Sequence, residues 1–116
     1  MLNLFRSTPR PTISDIATKV ARNEITLLDV RELAEVKASG KAKGAVVIPL
    51  SLIPLKANPS QPGCELDISK PVAVYCASGG RSGMAAQALA RFGFHDVLNL
   101  GGLHDWTAGG GQIERI

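Results

Sequence analysis

The sequence predicts an α/β domain of three layers, a mostly parallel sheet with helices on both faces. Three observations lead there. Residues 25–30, 46–48, 71–75 and 97–100 are short, near-continuous apolar runs, as expected of strands buried on both sides. Between them lie stretches of helix formers, most plainly residues 84–92, closed by Gly93. Strands alternating with helices are the signature of parallel βαβ units. With 116 residues, 45% of them apolar, the chain is long enough for one domain with its own core. Residues 1–11, containing Arg6, Pro9, Arg10 and Pro11, read as an N-terminal arm, and 12–116 as the domain.

Thr12 and Ile13 suit a short first strand. Ser14 then caps a helix to about Arg22, with Ile16, Ala17 and Val20 along one face. Asp29 ends the strand at 25–30, where functional groups of open parallel sheets gather. A carboxylate and a guanidinium so placed, Asp29 and Arg31, most often form a structural pair or cap the next helix, so both are given a supporting role. Residues 32–38 suit a short helix, and Ser51 opens a brief helical turn. Residues 58–69, with Pro59, Pro62, Gly63 and Cys64, read as an irregular loop. After the strand at 97–100, Gly101-Gly102 makes a tight turn and 103–108 a short helix carrying Trp106, a core anchor or pocket wall. Gly109-Gly110-Gly111 then loosens the chain.

Chemistry concentrates at Cys76-Ala77-Ser78-Gly79-Gly80-Arg81-Ser82. Cys76 sits where a strand ends, beside a glycine-containing loop that runs into a helix. Such loops turn backbone N–H groups inward, and a helix N-terminus adds about half a positive charge. Both favour an anion, and the Cys76 sulfur is the candidate. A free thiol is only about 3% thiolate at neutral pH, and lowering its pKa by about two units makes the thiolate the majority form. The alternative, a buried packing cysteine, suits a core strand better than a Gly-Gly loop before a helix. Tyr75 belongs to the strand rather than to the chemistry. Ser82 is placed either to cap the helix or to donate to the sulfur.

Cys76-Ala77-Ser78-Gly79-Gly80-Arg81-Ser82 resembles the active-site loop of the rhodanese family, Cys-x-x-Gly-x-Arg/Ser/Thr. Leu28-Asp29-Val30-Arg31 resembles that family's Asp-Val-Arg segment, and Gly44-Ala45 with Ile48-Pro49 its Gly-Ala-x-x-Ile-Pro segment. Leu100-Gly101-Gly102-Leu103 with Trp106 resembles its closing Gly-Gly-x-x-x-Trp stretch. The resemblance implies the rhodanese fold and a sulfurtransferase without a cofactor. Cys76 would take sulfane sulfur from a small anionic donor such as thiosulfate, holding it as a persulfide. Amides of residues 77–81 would cradle its charge. Cyanide, a thiol or a sulfur-carrier protein would then accept the sulfur. Relatives with serine or threonine at the place of Arg81 imply that this arginine is not essential. Lys41 stands where relatives usually carry histidine, and Lys37, Lys41 and Lys43 either lend positive potential to the pocket or form a solvated basic loop. Ala77 and Ser78 replace basic side chains of thiosulfate-specific relatives, which implies weak thiosulfate binding.

Two other functions compete. A Cys-x5-Arg phosphatase or arsenate reductase needs one more residue than the four between Cys76 and Arg81, hence about 3.3 Å more contour and one more amide for a tetrahedral oxyanion. A non-catalytic partner-binding module of the family commonly lacks the cysteine, which is kept here. Cys64 is read as a packing or surface residue, with a disulfide to oxidised Cys76 as the alternative. His95 and His104 stand outside any metal-ligand spacing, so no metal site is expected. A net charge of +3 with scattered basic residues implies no nucleic-acid surface. No run is long enough to span a membrane, and residues 1–5 are too short for a signal core, so a reducing cytoplasm is the expected setting.

Overall fold

The protein is described by a computed structural model over residues 10–116. Residues 1–9 of the expected arm lie outside the described part. In chain order the elements are α1 (Ile13–Ala21), β1 (Thr26–Asp29), α2 (Leu33–Ser39), β2 (Lys41–Ala42), β3 (Val46–Val47), a 3-10 turn (Leu50–Leu52), α3 (Ile53–Lys56), β4 (Val72–Cys76), α4 (Gly80–Arg91), β5 (Val97–Gly102), α5 (Leu103–Ala108) and β6 (Ile113–Glu114). A parallel sheet in the order β3-β1-β4-β5 forms the middle layer, and a separate antiparallel ribbon joins β2 to β6.

Alternation along the central strands sorts their side chains into two cores. Val72, Val74 and Cys76 of β4 pack with Leu28, Ile53, Ala85 and Leu89, on the side covered by α3 and α4. Ala73 and Tyr75 pack with Leu27, Ile16 and Trp106, on the side covered by α1 and α5. All five β4 residues are buried, as expected of a central parallel strand. Cys76 therefore faces α4, while its neighbour Tyr75 faces the opposite layer. The expected α/β architecture, mostly parallel sheet with helices on both faces, is the one observed.

Four local expectations are corrected. Thr12 and Ile13 form no strand: Thr12 caps α1, its hydroxyl accepting from Asp15 N (3.0 Å) while the Asp15 carboxylate accepts from Thr12 N (3.3 Å). That reciprocal pair outcompetes a cap at Ser14. Helix α4 begins at Gly80, four residues before Met84, because Gly79 at φ +109° turns the chain directly from β4 into the helix. Gly101 and Gly102 continue β5 rather than forming a free turn. The register there slips, with Val74 opposite Asn99 but Tyr75 opposite Gly101, so β5 carries a bulge at which Gly101 takes φ +94°. The last residues are not loose, since Ile113–Glu114 pair with β2 and Trp106 Nε1 donates to Gln112 O (2.8 Å).

Candidate active site

Cys76 is the last residue of β4 and only 1% exposed. Ala77, Ser78 and Gly80 form an exposed rim above it. The turn is tight because β5 runs beside it. Cys76 pairs with Gly102, and a Cβ on Gly102 would lie 2.1 Å from the Ala77 carbonyl oxygen, so only glycine fits there. Gly79 N donates to Cys76 Sγ at 3.0 Å, and Ser82 Oγ lies 3.4 Å from the same sulfur. Burial pushes the Cys76 thiol up. The Ser82 hydroxyl and the amides of Ser82, Gly79 and Ser78 more than offset that, so the net effect lowers it to about 7. Only Ala77, Ser78 and Gly79 separate β4 from α4, fewer free residues than the sequence suggests.

Ser82 is fully buried and serves more acceptors than it has protons. Its Oγ lies 2.7 Å from Asn99 Oδ1, 3.1 Å from Gly79 O and 3.3 Å from Gly101 O, besides the sulfur. Gly101 N donates to Asn99 Oδ1 (2.9 Å) while Asn99 Nδ2 donates to Gly79 O (3.2 Å), which assigns the amide's two ends. An amide oxygen cannot donate, so the short Ser82–Asn99 contact carries the serine proton. Asn99 thus competes with the sulfur for it. The bulge in β5 aims Asn99 at this turn. A lone polar residue inside Val97-Leu98-Asn99-Leu100 was the available sequence signal for it.

Arg81 grips Glu35 of α2 with both prongs, at 2.6 and 2.9 Å. Hydrogen bonding from Arg81 is the main reason the Glu35 carboxyl is held down at about 2. Glu35 had no local signal, because the contact spans 46 residues. Asp29 and Arg31 lie under the other face. Asp29 accepts from Arg31 N (2.9 Å), from Arg31 Nη2 (2.8 Å) and from the Tyr75 hydroxyl (2.6 Å), and Arg31 reaches on to Ser39 Oγ and Gly40 O. Tyr75 OH in turn accepts from Ala42 N (2.9 Å). Burial and the Asp29 bond push the Tyr75 phenol well up, so it stays a neutral donor. None of these bonds reaches Cys76. A phenol inside an apolar strand signals the need for such a partner.

Lys41 and Lys43 are both engaged away from the Cys76 turn. Lys41 Nζ pairs with Glu114 (2.5 Å) and donates to Ala45 O (2.8 Å), tying the ribbon together. Lys43 lines a cleft of about 760 Å³ between α1 and the ribbon, whose walls include Ala17, Trp106 and Gln112 but no residue of the Cys76 turn. Cys64 is a half-buried free thiol whose sulfur contacts Leu66 O. Among the described residues, no group of three or more His, Cys, Asp or Glu is arranged to hold a metal, and no helix is long and apolar enough to cross a membrane.

Residues 12–109 match the family model described as a rhodanese-like domain. A protein of Allochromatium vinosum named sulfurtransferase is 35% identical over 88 residues, covering 75% of this chain and 76% of that protein. YrkF of Bacillus subtilis, whose name refers to sulfur carriage, is 35% identical over 103 residues; the match takes in 87% of this chain but only 52% of YrkF, about half its length. The rhodanese-like domain of the Anabaena Alr3790 protein superposes with a TM-score of 0.72 at 29% identity, over 94% of this chain and 80% of that one.

Proposed function

This chain belongs to the rhodanese-like domain family, and from that premise we propose that it is a sulfurtransferase working through a persulfide on Cys76. In this reading the Cys76 thiolate attacks the outer sulfur of a sulfane donor. The bond from that sulfur to the rest of the donor breaks, and the electron pair leaves with the remainder. With thiosulfate the products are enzyme persulfide and sulfite. A cyanide, a thiol or a sulfur-carrier protein then attacks the outer sulfur and regenerates the thiolate, giving ping-pong kinetics. The domain is taken as residues 12–116 and its setting as the reducing cytoplasm.

One observation carries the reading: a covered sulfur held 3.0 Å from the Gly79 amide, with its thiol lowered to about 7, so that a nucleophile is available at neutral pH. Residues 77–82 frame the persulfide. Amides of Ser78, Gly79 and Ser82 act on the Cys76 sulfur, and in this reading they stabilise the persulfide's charge as an oxyanion hole does, with Ser82 supplying or withholding one proton. Asp29 and Arg31 set the frame from behind. A phosphatase is disfavoured because the turn from Cys76 to α4 has no slack for a tetrahedral oxyanion, and because Arg81 is engaged by Glu35. Cyanide-dependent thiocyanate formation tests the reading: it should be present in the wild type and lost in Cys76→Ser. Turnover of an aryl phosphate at a similar rate would overturn it.

A further inference from the structure

The Cys76 turn holds one guanidinium, and the structure shows it spent. Arg81 forms two hydrogen bonds with the Glu35 carboxylate, both side chains being only about one-third exposed. Glu35 is itself fixed. It is the third residue of the α2 capping box, and its Oε1 also accepts from Glu32 N at 3.0 Å. Arg81 still lies within electrostatic reach of Cys76. Ala77 and Ser78, the exposed residues of the rim, bring no charge. Lys41 is bound to Glu114. A donor approaching the sulfur therefore meets backbone amides and a helix terminus, but no uncommitted cation among the side chains of the turn.

We propose that Glu35 is a specificity-determining residue: by holding Arg81 it sets the site against dianionic sulfane donors and in favour of donors with one negative charge or none, such as a cysteine persulfide presented by a protein. This rests on the sulfur-transfer reading above. The chemistry is the same for either donor charge. Thiolate and thiosulfate give persulfide and sulfite, with three negative charges on each side. Thiolate and methanethiosulfonate give persulfide and methanesulfinate, with two. Only the charge that must be brought beside the thiolate differs, and that term is the one Glu35 controls.

Glu35→Gln removes the charge while keeping the size and the capping oxygen, since glutamine serves in a capping box as glutamate does. The test compares kcat/KM for thiosulfate and methanethiosulfonate, with cyanide as acceptor at low ionic strength. In Glu35→Gln the thiosulfate value should rise about fivefold and the methanethiosulfonate value about twofold, so their ratio increases. Adding Arg81→Gln should abolish the increase, and Arg81→Gln alone should lower the ratio below wild type. A ratio unchanged in Glu35→Gln overturns the proposal, as does an increase that survives the loss of Arg81. The wild type offers a second measurement that needs no variant. Its thiosulfate kcat/KM should hold or rise from about 20 to about 300 mM salt, because no free cation is there to be screened. A steep fall overturns the proposal. Failure of the underlying reading looks different: neither donor then leaves sulfur on wild-type Cys76.

Discussion

Two polar groups stand at the carboxyl ends of neighbouring strands, back to back across one sheet, and they differ in how their protons are supplied. Behind the sheet, Asp29 receives Arg31 and Tyr75, Arg31 also bonds Ser39 and Gly40, and Tyr75 receives Ala42 N, so donors and acceptors are matched. In front, the single Ser82 proton faces Asn99, Gly79, Gly101 and the Cys76 sulfur. A matched buried network has one arrangement and resists change. An undersupplied one leaves its proton free to follow charge. When Cys76 ionises, or carries the proposed extra sulfur, the serine hydroxyl can turn from Asn99 to the anion without disturbing the frame. In the proposed function, the first region builds the site and the second works in it.

The largest effects should come from breaking the matched network. Asp29→Ala leaves a buried guanidinium without its carboxylate and should cost about 3–5 kcal/mol in urea unfolding. Tyr75→Phe leaves Ala42 N without its acceptor and should cost about 1–3 kcal/mol. In whichever of the two still folds, the alkylation inflection of Cys76 should stay near the wild-type value, measured on a Cys64→Ser background. A shift of a full unit would erase the distinction between the regions.

Smaller and opposite in kind is Ser82→Ala. It should leave the fold in place yet raise the Cys76 inflection from about 7 by roughly one unit, because the amides remain while the hydroxyl is gone. The sign carries into stability. The folded thiol titrates below its ordinary value of 9.0, so its ionisation contributes stability that is present above about 9 and lost as pH falls through about 7. Ser82→Ala should narrow that window, and Cys76→Ser should remove it. Alkylation rates and unfolding midpoints across pH check both; an unmoved inflection in Ser82→Ala would assign the whole effect to the amides. The smallest shift should come from Asn99→Asp. A carboxylate holds the serine proton more tightly and repels the thiolate, so the inflection should rise by about half a unit. A fall would show that Asn99 does not compete for that proton.

The strands were legible because each is a short apolar run, and the candidate site because a cysteine ends one of them before two glycines. What was not legible was decided elsewhere in the fold. Gly80 and Ser82 are poor helix formers, so propensity starts α4 at Met84. The first turn forms because Gly79 takes a left-handed conformation and the turn's amides find the sulfur. The β2–β6 ribbon has two residues per strand, too few for any periodicity, and exists because Trp106 and Lys41 anchor the chain end. Arg81 stands within the Cys76 motif in the sequence. Its partner lies on another helix, and nothing local announces it.

The most direct test is peptide mass spectrometry of the protein after thiosulfate treatment and removal of excess donor. The account predicts one added sulfur atom on the peptide containing Cys76, discharged by cyanide and absent in Cys76→Ser. An adduct confined to Cys64, or none on a protein that still turns over sulfur, would contradict it.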